Sequence, residues 1–563
     1  MERARHDLFI AQGEIPVRKL GKKHYYLAAS ILLVVLLSES LYTISYNSPI
    51  FDETAHIGSG YYYWKTGNIT LNREQPPLAK IVAGAPLALL DLKYPEGDWN
   101  NSKQLEFGRI FLYRTGNDLD SILFFSRLPI VALSLALGLV LFIFVSKIYG
   151  YKPAVFALFL YVFEATIISH SSLVTMDIAL SLFMFLTMFA LWVFAKNPNN
   201  TNAIFLAVCF ALAQVSKFSA LYLVPIILVL LLFFIHKRIL GLNDVIRLIL
   251  VTVIVSIFVI NSFYLFQGTG KALTDNINKD RIEAHITNNP LKPLILAVAN
   301  TPVPLPENYM LGLSDVILHD MSGSPAFFLG EYSRFGWWYY FPVLFMLKVS
   351  IFLMAFVFIS IYFFNENGFE KNKDSRLAEY ITIAFILMYF GINLFSHINI
   401  GIRHVLPVFP FVILLCSKSI KYANKNLIRL VVILAVFYAL SSLLSAPHYI
   451  TFFSEAVGGN EYMYAIDSNY DWGQDLKGLG SYMKANGITS VKLKYFGTAE
   501  PEYYGISYQQ LECGKSDGII AISANHLQEL FASDRGCYKW LLDHEPIGRV
   551  GAIFIYDLRN LVQ

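Results

Sequence analysis

Asn47-Ser-Pro-Ile-Phe-Asp-Glu-Thr-Ala-His56 follows the first long apolar run, 24–46, and continues to Asn72-Arg-Glu-Gln-Pro-Pro-Leu-Ala-Lys80. Asp52 and Glu53 therefore stand a few residues past the expected exit of a membrane helix, with His56 one helical turn on. A carboxylate held against lipid or protein loses solvation, so it rises in pKa or acquires a cation or hydrogen-bond partner, and either outcome suits a general base. The competing reading is a structural one, with Asp52 capping an amphipathic helix over 53–65. Working outward, Tyr61-Tyr-Tyr-Trp64 and the run Leu78 to Leu90 are too short to span a bilayer, and their composition suits helices lying at its surface.

The rest of the chain fits that placement. Its 563 residues are 55% hydrophobic and 15% charged, with mean hydropathy +0.50, the composition of a polytopic membrane protein. The net charge of +3 is too small to imply a nucleic-acid partner. Apolar runs read as about eleven spans, each near 20 residues. They fall at 24–46, 121–146, 153–171, 173–195, 202–216, 218–236, 245–267, 338–364, 378–396, 404–420 and 426–446. The polar, basic segment 1–23 has no cleavage site, so the first run is expected to be retained.

Basic residues set the orientation. The N-terminus, the Lys147 to Lys152 turn, Lys196, His236-Lys-Arg238, the Lys371 to Arg376 loop and the Lys418 to Lys425 loop fall on one side, which the positive-inside rule makes cytoplasmic. Loops 47–120 and 268–337 and everything after about 447 then face outward. The fold expected is a cytoplasmic tail at 1–23, a helical membrane domain at 24–446 with interfacial helices in its first outer loop, and an extracytoplasmic α/β domain at 447–563. In that last domain, strands are expected at 491–496, 518–523 and 552–556, and helical pieces at 476–486, 527–531 and 538–542. Cys209 and Cys416 lie in apolar runs, whereas Cys513 and Cys537 lie in the outward domain and are candidates for a disulfide.

Ionisable residues at membrane depth are functional candidates by default. Glu164 and His170 lie toward the outer end of the third span, and Asp177 follows in Val174-Thr-Met-Asp-Ile-Ala-Leu-Ser-Leu182, where it either acts in the site or caps a helix. Lys217, in Val215-Ser-Lys-Phe-Ser-Ala220, binds a lipid phosphate or snorkels to the headgroups. Glu331 and Arg334 sit inside Gly330-Glu-Tyr-Ser-Arg-Phe-Gly-Trp-Trp-Tyr-Tyr-Phe-Pro342, either paired with each other or with Arg334 on a phosphate. Arg403 and His404, in Ile398-Asn-Ile-Gly-Ile-Arg-His-Val-Leu-Pro407, are positively chargeable groups on the outer side, so an anionic partner is expected there. Asp467-Ser-Asn-Tyr-Asp-Trp-Gly-Gln-Asp475 has a calcium-loop composition but lacks the spacing.

Phe51-Asp-Glu, His56-Ile-Gly58 and Pro76-Pro-Leu-Ala-Lys80 resemble the first external loop of protein O-mannosyltransferases. More loosely they are similar to lipid A aminoarabinose transferases, with Glu74 two residues before Pro76. The strings around Gly330, Arg403 and Asp467 are similar to bacterial lipid-carrier-dependent transferases. The resemblance implies a membrane-embedded glycosyltransferase of the C type, taking a sugar from a polyprenyl-phosphate carrier and passing it with inversion to a protein, glycan or lipid acceptor. It implies catalytic roles for Asp52, Glu53 and Asp177 and phosphate-binding roles for Arg403, Lys217, Arg334, His404 and Lys80. It also leaves open a divalent metal ion held by Glu74 and His319. The chain departs from the eukaryotic enzymes in lacking a β-trefoil insert at 268–337 and in carrying Gln75 before the double proline, which puts a protein acceptor in doubt. A secondary transporter or a non-catalytic subunit of a glycan-assembly complex are the rival readings. Against the transporter, the polar groups gather at span ends and in outer loops instead of near the midplane.

Overall fold

The computed structural model describes residues 21–272, 297, 300–532 and 535–559; most of the tail 1–23 lies outside them. Every apolar run of the sequence forms helix, as lipid requires of a backbone that finds no water to bond. Among the described residues, eight helices are long and apolar enough to cross a membrane, or ten if each of two bent pairs counts as one span. Asn200–Gln214 is a further apolar helix of 15 residues. The chain is a multi-pass membrane protein.

The bent pairs depart from the straight spans expected, and side chains explain both. Tyr151–Val162 and Ala165–Ser171 meet at 66°. Between them Glu164 accepts a bond from the Thr166 amide and another from the Tyr438 hydroxyl at 2.9 Å. Glu164 is thus a capping residue of a broken helix. Tyr340–Lys348 and Ile351–Asn367 meet at 113°. The Ser350 hydroxyl and the Glu455 carboxylate accept the first amides of the second helix, so its orphan donors are satisfied although the helix restarts inside the bundle.

Burial separates centre from periphery. Asp177–Lys196 and Ile402–Tyr422 are 78% and 72% buried, whereas Lys425–Leu444 is 17% buried and faces lipid. The two central helices carry Asp177 and Arg403-His404 at the same end of the bundle. Loop 47–120, the described part of loop 268–337 and the C-terminal region gather there: Arg73 pairs with Asp315 at 2.9 Å, and the Ser48 amide donates to the Gln474 carbonyl. The loops read as basic meet at the opposite end, where Lys196 pairs with Asp374, Lys421 with Glu370, and Lys418, fully buried, with Glu379.

Within the first outer loop, helices Phe51–Thr66, Leu78–Gly84 and Gln104–Tyr113 stack closely. Glycines permit this, because a Cβ at Gly108 would collide with the Thr54 carbonyl and one at Gly84 with the backbone of Gly60. In the second outer loop, strands β1 (Ala326–Phe328) and β2 (Glu331–Ser333) form a hairpin. Its turn, Leu329-Gly330, has positive φ at both residues, as a tight two-residue connection needs.

The C-terminal region holds helix Leu476–Ala485 and five strands: β3 (Val491–Lys494), β4 (Tyr508–Gln510), β5 (Gly518–Ser523), β6 (Gly548–Val550) and β7 (Ile553–Leu558), in the order β4-β3-β5-β7-β6. β3 runs parallel to β4 and β5, and β7 antiparallel to β5 and β6. Three strands match the sequence reading closely. β4 and β6, at three residues each, are too short to show a period. The helical piece expected at 527–531 lies instead at Ala524–Leu527. Cys513 and Cys537 are disulfide-bonded, and Cys209 and Cys416 are free and buried.

Segment 447–475 is not part of this sheet. It is laid onto the membrane bundle: the Phe51 amide donates to the Trp472 carbonyl at 2.9 Å, and the Ile402 amide donates to Asn469 Oδ1 at 2.8 Å. Lys348 donates to the carbonyls of Ile450 and Asn469, each at 2.8 Å, and to that of Phe452.

Candidate active site

A cavity of about 1100 Å³ lies where the outer loops meet the central helices. Asp52, Asp177, Lys217, Arg403 and His404 line it, and so do Glu74, His319 and Arg334 nearer its rim. Residues read from separate segments of the chain are thereby brought together.

Asp52 and Glu53 diverge at once. The helix starts at Phe51, and Glu53, not Asp52, accepts the Ile50 amide at its mouth. Glu53 is fully buried in a two-point pair with Arg127, at 2.9 and 2.6 Å, and also accepts the Val174 amide at 2.8 Å. Arg127 spends its remaining donors on the carbonyls of Ile44, Asn47 and Ser48. Glu53 does not line the cavity. The catalytic role implied for it is replaced by a positioning one, because every polar atom it carries is engaged in tying loop 47–53 to two membrane helices. Arg127, inside the second span, was not singled out in the sequence.

Asp52 turns the other way. Its Oδ2 lies 2.8 Å from Arg403 Nη1, and the carboxylate remains a quarter exposed to the cavity. Asp177 does not cap its helix; its Oδ1 lies 2.8 Å from Lys217 Nζ, so Lys217 neither snorkels nor stands free. These are two acid–base pairs on one wall. Arg403 is also covered by the Trp472 ring, 4.2 Å from the guanidinium carbon. Arg403 Nε and His404 Nε2 are buried without a hydrogen-bond partner among the described residues. Such groups are costly unless something bonds them, and Arg403 Nε, which can only donate, is short of an acceptor at this point.

His56 also lines the cavity. Its Nδ1 is 2.9 Å from the Val174 carbonyl, which can only accept, so the neutral ring carries its proton on Nδ1 and leaves Nε2 an acceptor. Burial lowers its pKa, against the opposing pull of Asp52. Asp467 lies behind Arg403; burial raises its pKa to about 7 although Arg403 acts the other way. Asp471, also raised to about 7 by burial, accepts the Asn525 amide and fixes the connector to the sheet.

Other expected site residues lie elsewhere or at the margin. Lys80 is fully buried and donates to the carbonyls of Asn72 and Gln75 and to Asn72 Oδ1, three acceptors for the three N–H bonds of an ammonium. It shapes the Asn72–Gln75 turn and does not border the cavity where a phosphate is expected. Arg334 is exposed at the rim with Nε donating to the Ser322 carbonyl. His170 is buried and donates Nδ1 to the Thr166 carbonyl. Glu74 and His319 border the same cavity, but Glu74 Oε1 already accepts from Gln104. Among the described residues there is no group of three or more His, Cys, Asp or Glu that could hold a metal ion.

The residues missed in the sequence are Trp472, Asn469 and Lys348. A tryptophan within an Asp/Asn/Gly-rich loop was the available signal, since such a ring has little reason to be there without a surface to cover.

Residues 108–264 match the family model described as dolichyl-phosphate-mannose-protein mannosyltransferase. The matched stretch contains Arg127, Asp177 and Lys217 and stops short of Asp52 and Arg403. Over that stretch the chain is similar to this family, the same group that the first outer loop resembles. No curated protein matches the chain. Among solved structures, apo ArnT from Cupriavidus metallidurans is similar with a TM-score of 0.49 and 11% identity, covering 95% of this chain and 98% of that one. The S. cerevisiae protein O-mannosyltransferase complex bound to the sugar donor gives 0.46 at 10% identity, covering 88% and 96%. Archaeoglobus fulgidus AglB, in complex with an inhibitory peptide and a dolichol-phosphate, gives 0.45 at 10% identity, covering 96% and 75%.

Proposed function

We propose that the chain transfers a sugar from a polyprenyl-phosphate carrier to an acceptor hydroxyl at the extracytoplasmic face of the membrane, with inversion at the anomeric carbon. The observation that carries this reading is the pairing of Asp52 with Arg403 beside Asp177 with Lys217 on one cavity wall, where Arg403 Nε and His404 Nε2 are buried and unbonded. The donor's phosphodiester, a monoanion that gains a second charge as the sugar leaves, supplies an acceptor oxygen for Arg403 Nε.

In the transfer, the acceptor oxygen forms a bond to the anomeric carbon while the carbon–oxygen bond to the phosphate breaks and its electron pair leaves with the carrier. The acceptor proton passes to Asp52, which is free to take it once the phosphate replaces it on Arg403. With one base and no second carboxylate acting as nucleophile, the attack is direct and inverting. Charge gathering on the departing phosphate faces Arg403 and Lys217, both largely buried, and such stabilisation contributes several kcal/mol. Asp177 is a positioning residue that holds Lys217. The grouping of the outer loops at one bundle end and the basic loops at the other supports an outward-facing cavity.

The test is a screen of polyprenyl-phosphate mannose, glucose, galactose and aminoarabinose with membranes carrying the protein, Asp52→Asn or Arg403→Ala. Release of carrier phosphate by the wild-type protein and its loss in both variants is expected. Turnover that both variants retain in full rejects the assignment.

A further inference from the structure

A second recess, of about 910 Å³, lies between helix Gln104–Tyr113 and the C-terminal sheet. Leu105 borders both it and the larger cavity, so the two adjoin. At its inner end Thr498 sets its hydroxyl 2.7 Å from Thr54 Oγ1 and 3.4 Å from the Phe51 carbonyl, one residue from Asp52. Its outer wall holds Arg109 and Arg114, each more than half exposed, which converge on Glu500 Oε1 at 2.7 and 3.1 Å. Opposite them are Tyr508 and Gln510, two apart on β4 and therefore on one face of the sheet.

We propose that this recess binds a hydrophilic glycan and presents one of its hydroxyls toward Asp52, which makes the acceptor a glycan. The inference rests on the glycosyl-transfer reading of the larger cavity. The walls are mostly charged, amide and hydroxyl groups, the chemistry that reads neighbouring sugar hydroxyls by paired donors and acceptors. Arg109 and Arg114 share one carboxylate oxygen, which leaves guanidinium N–H groups for a ligand. A peptide acceptor would favour the open edge of β4, where main-chain bonds could extend the sheet. The recess instead lies over a sheet face, where side chains do most of the reading. A lipid acceptor would enter through the larger cavity, which is the one bordered by the membrane helices.

The full chain in nanodiscs is applied to an array of neutral and acidic oligosaccharides printed beside extended peptides, alongside Arg109→Ala and Gln510→Ala. Both side chains are exposed, so folding is expected to survive, and thermal stabilisation by polyprenyl phosphate is measured on all three proteins. Oligosaccharide retention that falls at least about tenfold in the variants, with phosphate stabilisation unchanged, is expected. Equal retention by the variants, preference for peptides, or retention of nothing overturns the glycan groove. If polyprenyl phosphate still stabilises the wild-type protein in those cases, the reading of the larger cavity stands; if it does not, that reading fails separately.

Discussion

Asp52 and Glu53 share a peptide bond and carry the same functional group, and their partners give them different work. Asp52 faces a cavity from which a phosphate can displace it, whereas Glu53 is locked to Arg127 with both oxygens. Asp52→Asn is therefore expected to fold normally and lose about 10²–10⁴-fold in turnover, the range for a general base, with donor affinity little changed. Glu53→Gln strands a fully buried guanidinium and is expected to lose about 3–5 kcal/mol of stability, read as earlier unfolding in detergent. A Glu53→Gln protein as stable as wild type would contradict the positioning role. pH separates a third residue. The Asp467 carboxyl ionises near 4 when unfolded and near 7 when folded, so between those values the unfolded chain holds fewer protons and stability falls as pH rises. Melting temperature measured from pH 4 to 8 should decline through this window, and Asp467→Asn should flatten part of the decline, to which Asp471 contributes in the same sense. The base role of Asp52 was legible in the sequence, but its split from Glu53 was not, because adjacent acids look alike until distant residues choose between them.

At the scale of elements, the long helices were legible because lipid leaves a backbone few alternatives, and their apolar runs give them away. The bends were not, since each depends on a polar group from a distant segment: Tyr438 onto Glu164, and Glu455 onto the start of Ile351–Asn367. The same holds for connector 447–475, which the sequence reading places within the outward α/β domain and which in the fold closes the site by laying Trp472 on Arg403. Lys348 holds that connector by three carbonyls. Lys348→Met is expected to loosen it, so that limited proteolysis cuts within 447–475 and donor affinity falls while the separate sheet stays intact. A connector as protected in the variant as in wild type would show that the aromatic packing alone suffices.

At the scale of the whole molecule, charge and chemistry are segregated along one axis: loops 47–120 and 447–475 and the cavity occupy one end, and Lys196, Lys371, Lys418 and Lys421 the other. If the positive-inside rule governs, the cavity end faces outward. The cysteines make this directly measurable, because two are buried and two are bonded, leaving little background for a thiol reagent. Lys103→Cys in the first outer loop and Asn486→Cys in the C-terminal region, both at exposed positions, should react with a membrane-impermeant maleimide in intact cells. Lys371→Cys, exposed at the opposite end, should react only after the membrane is opened. The reverse pattern would put the Asp52–Arg403 pair on the cytoplasmic side. Transfer would then have to occur at the inner leaflet, and the sheet with its disulfide would stand in a reducing compartment, where such a bond is rarely kept.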